Sequence, residues 1–190
     1  MAPRELTPEL QERVFHFVHQ ADPSPKITSD NLRYLQVPLF GFDGKEHVGE
    51  LIVHRIVAKE VEEIFIELFE AQFPIEKMQL IENYGADDTA SMEDNNSSAF
   101  CYRFAVAKPN ILSKHSFGMA IDVNPLYNPY VKKDLILPKS GARFADRSIQ
   151  QKGMVLPGDD CHTAFCKRGW TWGGDWPDRQ DYQHFEKELP

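Results

Sequence analysis

The side chains best suited to catalysis lie in two segments, one in the middle of the chain and one near its end. The first segment carries His115 and Asp122, and the second carries Asp181 and His184. Two imidazoles and one carboxylate can bind zinc and leave its fourth tetrahedral position for water. A further acid nearby could take a proton from that water, because the metal lowers the water's pKa to roughly 7. These residue types predict a hydrolytic metal site if folding brings both segments together.

Asp122 lies in an apolar stretch, which makes its carboxylate informative. If residues 117–123 are extended, alternate apolar side chains point to one face and Asp122 points to the other. A carboxylate beside a buried face is costly unless it is paired, hydrogen-bonded or bound to metal. Gly118 nearby permits a close approach of backbone. The alternative is structural: Asp122 pairs with a buried arginine or lysine, and His115 and His184 are ordinary core histidines.

The spacing of Asp181 and His184 requires a bend. Residues three apart in a regular strand face opposite ways, so both side chains can share one site only across a bend or bulge. The other histidines lack a carboxylate at a suggestive spacing, and an ordinary surface or loop position is the favoured interpretation. They are His16, His19, His47, His54 and His162.

Helical periodicity is strongest in the first third of the chain. Residues 7–20 combine a capping threonine, a proline at the first helical position and an apolar stripe. Residues 55–72 repeat apolar side chains every three to four positions, with Glu and Lys between them. A short helix is also predicted near 160–168.

Strand-like patterns surround these helices. NLRYLQVPLF and HVGELIVH, separated by FDGK, predict a hairpin. MQLIENY, SSAFCYRF and FGMAIDVNP predict short strands, residues 125–160 an irregular excursion, and the C-terminal tail a last strand. Helices come first and short strands after them, without alternation of strand and helix, so the predicted class is α+β.

Composition bounds the function. The 190 residues hold 21 Lys+Arg and 29 Asp+Glu, a net charge of −8 that disfavours general binding to nucleic acid or anionic membrane. The hydrophobic fraction of 42% suits a packed core and excludes wholesale disorder. No apolar run approaches the roughly 18 to 20 residues of a membrane helix. The three cysteines are predicted to be ordinary thiols, although a Cys161–Cys166 bridge is an option in an oxidising compartment.

Two motifs in this sequence resemble those of a known family. SKHSFGMAID is similar to the S-x-H-x-x-G-x-A-x-D signature of the zinc D-alanyl-D-alanine peptidases. That family, peptidase family M15, includes VanY- and VanX-type carboxypeptidases and dipeptidases and phage L-alanyl-D-glutamate endopeptidases. GWTWGGDWPDRQDYQHFE resembles its second signature, in which an acidic residue, two positions and a histidine follow a tryptophan-glycine segment. The resemblance extends over about residues 38–186.

The resemblance implies a Hedgehog/DD-peptidase-like fold, with a small antiparallel sheet flanked by helices. It also implies one domain over residues 1–190, divided into an N-terminal helical extension (1–37) and a catalytic core (38–190). His115, Asp122 and His184 would bind one Zn²⁺ per chain.

The resemblance further implies roles in hydrolysis of a peptide bond next to a D-amino acid. Asp181, where many relatives have glutamate, would be the general base, which passes the water's proton to the leaving amine. Arg103 is similar to the arginine that steadies the substrate's carbonyl oxygen or carboxylate. Ser113 would lie near the substrate's backbone, or would simply fix the loop that holds His115.

The expected substrate is a peptidoglycan stem peptide or muropeptide, and the type of activity stays open between carboxypeptidase and endopeptidase. Because no secretory signal is visible, the chain is expected to be exported with a leader since trimmed, or released by lysis. Two alternatives remain: a cytoplasmic D-Ala-D-Ala dipeptidase, and a non-catalytic zinc-containing domain that binds muropeptides.

Overall fold

The N-terminal helix lies where its sequence pattern predicts it. In the computed structural model, which describes residues 2–189, helix α1 spans Pro8–Ala21. The Thr7 hydroxyl accepts a hydrogen bond from the Leu10 backbone N–H and caps the helix. Val14 and Val18 are buried and belong to a small apolar cluster that also contains Leu32, Ile52, Leu80 and Phe100. The apolar stripe of α1 therefore attaches this helix to the rest of the fold.

A long antiparallel hairpin follows, as predicted. Strand β1 (Leu32–Phe40) pairs with β2 (Glu46–His54), with Leu32 opposite His54 and Phe40 opposite Glu46. The inward-facing side chains of both strands are apolar and buried, and they include Leu35, Val37, Leu39, Leu51 and Val53. This alternation of burial along the strands fixes the register, because a slip by one residue would expose the apolar face.

The second helix packs against this hairpin. Helix α2 spans Ala58–Glu70, and Val61, Ile64, Phe65 and Leu68 are almost completely buried. The strongest helical prediction is thereby confirmed. Hairpin and helix form the centre of the main hydrophobic core, which the C-terminal residues Phe165, Trp170, Trp172 and Phe185 complete.

The middle of the chain contains less strand than its pattern predicts. The segment MQLIENY forms only the two residues of β3 (Lys77–Met78) before a 3-10 turn at Ile81–Tyr84. Helix α3 (Asp88–Glu93), begun by an Asp87 cap, was not predicted.

The predicted strand SSAFCYRF is also interrupted. Strand β4 (Asn96–Ser97) pairs in parallel with β3, and β5 (Phe104–Ala105) pairs with β6 (Lys108–Leu112). Between them, the N–H of Phe100 donates to Ile52 O and that of Cys101 donates to His115 O. The backbone thus bonds to two different partners and forms no continuous ladder.

The C-terminal half contains two small antiparallel sheets. In the first sheet, β12 (His184–Glu186) lies between β7 (Ala120–Asp122) and β10 (Thr171–Trp172). In the second, β8 (Tyr130–Lys132) lies between β9 (Leu135–Leu137) and β11 (Gln180–Asp181). Helix α4 (Asp160–Cys166) confirms the predicted short helix. Small sheets with few helices agree with the predicted α+β class, whereas the Hedgehog/DD-peptidase type remains a prediction.

The segment 125–160 is irregular but tied to the core. It contains β8, β9 and a 3-10 turn at Lys139–Phe144. The Arg147 guanidinium donates to the Tyr127 and Val155 carbonyls and to the Asn128 side chain, at 2.7 to 2.9 Å. One half-buried arginine therefore links the two ends of this segment.

Three further predictions concern boundaries, membranes and thiols. The predicted division at residues 37 and 38 lies inside β1, and the single-domain organisation stays a prediction. No helix within residues 2–189 is both long and apolar enough to cross a membrane. Cys101, Cys161 and Cys166 are free thiols, so the optional Cys161–Cys166 bridge is not formed.

Candidate metal centre

The pairing of β7 with β12 brings two distant polar side chains face to face. His184 lies directly opposite Asp122 in the antiparallel register, although 62 residues separate them in sequence. Side chains directly opposite in such a pair have Cβ atoms about 4.5 to 5.5 Å apart. The hydrophobic neighbours Ile121 and Phe185 point to the other face, into the main core. Apolar packing on one side thus fixes the polar pair on the other.

His115 reaches the same place from a 3-10 turn that spans Lys114–Phe117. The Ser113 hydroxyl caps this turn by accepting a hydrogen bond from the His115 backbone N–H. Gly118 ends the turn with a φ of +66°, and a Cβ there would lie 2.5 Å from the His54 backbone nitrogen. Only glycine satisfies both the left-handed backbone and this close approach. The expected role of Gly118 is confirmed.

The three side chains form a compact group. The His115 Nε2 atom lies 3.1 Å from Asp122 Oδ2, and His184 Nδ1 lies 3.0 Å from Asp122 Oδ1. The two ring nitrogens are 3.2 Å apart. All three residues are buried, and one ligand atom from each falls within 4.8 Å of the others. Among residues 2–189, this is the one group of three or more His, Cys, Asp or Glu close enough to hold a metal ion.

Outer hydrogen bonds orient both imidazoles. His115 Nδ1 lies 2.6 Å from the Ala99 carbonyl oxygen, which places the proton on Nδ1 and leaves Nε2 as a ligand atom. His184 Nε2 lies 2.8 Å from Glu186 Oε2, which directs Nδ1 toward Asp122. Metal-bound histidines almost always have such a carbonyl or carboxylate partner. The donor set and its outer contacts therefore suit a divalent metal ion.

The charges of the group also favour a bound cation. Burial alone would raise the pKa of Asp122, but its contacts with His115 and His184 hold this pKa far below the usual range. Burial alone would lower the pKa of His184, but hydrogen bonds to Asp122 and Glu186 raise it to about 10. The site therefore attracts positive charge, for which protons and metal ions compete.

Asp181 lies beside this group across the predicted bend. Strand β11 ends at Asp181, and a two-residue turn separates it from His184 at the start of β12. The Oδ1 atom of Asp181 is inaccessible to solvent and has no hydrogen-bond partner among the described residues. Burial raises the pKa of Asp181 to about 7, with Asp122 adding to the rise and His184 and Arg103 opposing it. A carboxyl group in this condition can exchange a proton near neutral pH.

Glycine in the tryptophan-glycine segment permits this placement of Asp181. A Cβ on Gly173 would lie 2.7 Å from the Asp181 carbonyl oxygen and 2.8 Å from its Cβ. Trp170 and Trp172 are buried in the main core, whereas the Trp176 ring lies 5.4 Å from the His184 ring. Trp170 and Trp172 therefore belong to the core on which the site is built, and Trp176 borders the site.

Arg103 and Ser113 also face this region. The Arg103 Nε atom lies 3.0 Å from Asp88 Oδ2 as an ion pair, out of line for a hydrogen bond. Burial opposes the charge of Arg103, but Asp88 and other nearby acids raise its pKa, so the guanidinium stays charged. Ser113 is buried, and its backbone N–H donates to the Arg103 carbonyl. Ser113 therefore contacts two other residues singled out from the sequence, Arg103 and His115.

These residues border a cavity of about 350 Å³. Its polar lining includes Asp122 and His184 of the ligand group with Arg103, Ser113 and Asp181, whereas His115 lies behind Asp122 and does not line it. Its apolar lining comes from side chains of the β5–β6 hairpin and Trp176. Val106 and Ile111 on this hairpin are about half exposed. A polar floor with an apolar rim suits a peptide better than a small inorganic ion alone.

Two residues of this site carried no decisive sequence signal. Glu186 stands two positions after His184, so strand periodicity places both on one face, yet nothing in the sequence distinguishes it from a surface acid. The Ala99 carbonyl is backbone and has no signature at all. The other histidines lie outside the group; His16, for example, contacts Gln20 on the exposed face of α1.

Comparison with protein families gives one match. Residues 107–187 match the family model of D-alanyl-D-alanine carboxypeptidases. The matched segment is less than half of the chain; it includes Ser113, the ligand group and Asp181, and it begins after Arg103. Searches of curated proteins and of solved structures gave no significant match. The match supports a peptidase of this family, at the level of the family and not of the VanY or VanX type.

Proposed function

We propose that this protein is a zinc-dependent peptidase that hydrolyses bonds next to D-amino acids in peptidoglycan peptides. One observation carries the proposal: Asp122 and His184 of the buried His-Asp-His group line one cavity together with Asp181, whose Oδ1 has no hydrogen-bond partner among the described residues. The match to D-alanyl-D-alanine carboxypeptidases covers all four residues.

His115, Asp122 and His184 would hold the metal ion. Bound there, zinc would polarise the scissile carbonyl and lower the pKa of water. Two imidazoles and one carboxylate also suit ferrous iron, so the preference for zinc rests on the family match and on the known use of this donor set in zinc peptidases. Metal analysis of the purified protein separates the two metals.

Asp181 is the general base in this proposal. Its carboxylate accepts a proton from the attacking water and returns it to the leaving amine. In the metal-free protein burial raises the pKa of Asp181 to about 7, so this buried carboxyl group readily accepts a proton near neutral pH. Exclusion of solvent from Oδ1 strengthens its interaction with the reacting atoms.

Arg103 and Ser113 serve the substrate. The Arg103 guanidinium would stabilise negative charge that develops on the substrate's carbonyl oxygen, a contribution of about 3 to 4 kcal/mol for one well-placed donor. Ser113 would act mainly through position, because its hydroxyl caps the turn that carries His115.

The proposal is tested by mass spectrometry of the products from purified muropeptides, with zinc and with EDTA. We expect cleavage next to a D-amino acid that EDTA abolishes and zinc restores. Asp181→Asn should reduce the rate by about 10² to 10⁴-fold, and Asp134→Asn, an exposed aspartate in the β8–β9 turn, should not. Asp181→Glu should retain part of the rate because it keeps the carboxylate.

The same assay separates the alternatives. Release of D-Ala from the free dipeptide but not from a pentapeptide would indicate a dipeptidase. Tight binding of muropeptides without cleavage, in a zinc-loaded protein, would indicate a binding domain; the buried acid at Asp181 argues against this, because a binding domain needs no base. Full activity in EDTA would contradict the proposal.

A further inference from the structure

Buried polar atoms without partners are concentrated at one place in this protein. Among residues 2–189, six buried side-chain nitrogen or oxygen atoms have no hydrogen-bond partner, and five of them belong to residues that border the cavity. Arg103 and Asp181 account for two of these atoms. The other three are the Tyr130 hydroxyl and both polar atoms of the Gln183 amide. Such groups are rare in folded proteins and require an explanation.

Gln183 is held firmly beside the ligand group. It is 2% exposed, it precedes His184 directly, and its carbonyl accepts a hydrogen bond from the Val123 N–H at 2.9 Å. The backbone is thus fixed, while the terminal amide torsion of glutamine is soft and allows the amide to turn toward the cavity. The amide offers two donors and one acceptor, all unused by the described residues.

Tyr130 lies on the neighbouring strand of the second sheet. It is 5% exposed and stands directly opposite Asp181 in the pairing of β8 with β11. Side chains in this relation share one face of the sheet, so the phenol lies next to the proposed base. Its hydroxyl is a further neutral donor and acceptor at the cavity floor.

Most of the cations around the cavity are paired with acids. Three of them form ion pairs: Arg103 with Asp88, Lys114 with Glu188 and Arg179 with Asp178. Lys108 stands exposed on the β5–β6 hairpin, where solvent screens its charge. Apart from Arg103 and the proposed metal ion, which serve the scissile carbonyl in the proposed reaction, the described residues therefore offer no buried cation without an acid partner to a free carboxylate on the residue after the cleaved bond.

We propose that Gln183 and Tyr130 are specificity-determining residues that bind an uncharged carboxamide or peptide group on the substrate residue following the cleaved bond. An amide side chain pairs well with another amide, because each offers both a donor and an acceptor. The inference rests on the proposed peptidase function and deepens it: the favoured substrate continues as a peptide or ends in a carboxamide, and a terminal carboxylate is disfavoured.

The test uses two pairs of acylated dipeptides. One pair ends in D-Ala-D-Ala and the other in L-Ala-D-Glu, each prepared with the last α-carboxyl group free or as the carboxamide. We expect the wild-type protein to cleave a carboxamide with a KM about tenfold lower than that of the matching carboxylate. Gln183→Met and Tyr130→Phe should each raise the KM for the carboxamide about tenfold, with kcat within about twofold.

Stability gives a readout that a purely structural role would change. Replacing an unpaired buried amide by an apolar side chain of similar size is neutral or stabilising, so Gln183→Met should not lower the Tm. Gln150→Met, at an exposed position, and Tyr84→Phe, whose hydroxyl contacts Asp94 on another surface, are the matched controls. Neither control should change KM.

Binding measurements separate this inference from the proposed function. The carboxamide peptides are titrated calorimetrically into the Asp181→Asn protein, with and without Gln183→Met. If no peptide is ever cleaved but Gln183→Met weakens binding about tenfold, the inference stands and the peptidase proposal fails. The inference is overturned, and the peptidase proposal stands, if peptides are cleaved but the carboxylate is preferred. The same conclusion follows if peptides are cleaved and neither Gln183→Met nor Tyr130→Phe changes KM or Kd.

Discussion

Two regions of the molecule differ in the side chains that they bury. One is the β1–β2 hairpin with α2, and the other is the β7–β12 pair with its flanking turns. The hairpin strands are nine residues long, and the buried side chains that they share with α2 are mainly apolar. The β7–β12 pair is three residues long and buries His115, Asp122, Gln183 and His184. Apolar packing stabilises the first region. The second region keeps buried polar groups, whose burial costs free energy unless they are hydrogen-bonded, paired or bound to a ligand. We therefore expect the polar site to depend on the apolar core around the hairpin more than that core depends on the polar side chains of the site.

Removal of a proposed ligand should have the largest effect and should spare the hairpin. His115→Ala should lower the rate of muropeptide hydrolysis by at least about a thousandfold, because the metal supplies several kcal/mol of charge stabilisation. Circular dichroism should show an intact fold, and His47→Ala, at a half-exposed hairpin position, should keep full activity. An active His115→Ala protein would contradict the proposed site.

A core substitution should show the reverse pattern. Phe65 in α2 is fully buried against Phe165, so Phe65→Ala should cost about 3 to 5 kcal/mol of the free energy of unfolding. Denaturant unfolding measures this loss, and the protein that remains folded at low temperature should still bind one zinc ion per chain. Val48→Ala on the exposed face of β2 is the control and should cost little. Loss of zinc binding in the folded Phe65→Ala protein would show that the metal site depends directly on packing in the hairpin core.

Removing the outer partner of a ligand should have an intermediate effect. Glu186→Gln replaces the carboxylate that orients His184 and should weaken zinc affinity about 10- to 100-fold. Competition with a chelating dye measures the affinity. Glu188→Gln, which removes only the ion pair with Lys114, should leave it unchanged. Equal affinities in both variants would mean that Glu186 does not orient the ligand.

The smallest expected effect is a gain of stability when Asp181 is replaced by asparagine in the metal-free protein. Burial raises the pKa of Asp181 from 3.8 to about 7, so the folded state holds a proton that the unfolded state releases. The contribution of Asp181 to stability is therefore most favourable below about pH 4 and declines as the pH rises toward 7. Asp181→Asn removes this decline and should raise the Tm at pH 8 by roughly 2 to 4 °C for each kcal/mol regained. A Tm at pH 8 that falls in Asp181→Asn would show that the buried Asp181 carboxylate does not destabilise the metal-free protein.

The two regions also differ in how far the sequence predicts them. Helix α2 and the hairpin follow from periodicity, because a long element repeats its apolar pattern often enough to be recognised. Residues 97–104 look like one strand in the sequence, yet they form two short fragments whose intervening N–H groups bond to Ile52 and His115. Such hydrogen bonds depend on the tertiary structure and produce no periodic pattern in the sequence.

The candidate site was predictable through residue types and motif spacing. His115, Asp122 and His184 were expected to converge, and the β7–β12 register explains how they do. The bend between Asp181 and His184 was inferred from their spacing, and the turn at residues 182–183 supplies it. Gln183, Tyr130 and Glu186 were not assigned roles in advance, because a glutamine, a tyrosine or a glutamate gains its role only from the neighbours that folding brings to it.

The most direct test of the account is calorimetric titration of zinc into the metal-free wild-type protein and into His184→Ala. We expect one zinc ion per chain in the wild type and loss of that binding in His184→Ala, while both proteins remain folded. Zinc binding with the same stoichiometry and affinity in both proteins would contradict a metal centre formed by His115, Asp122 and His184.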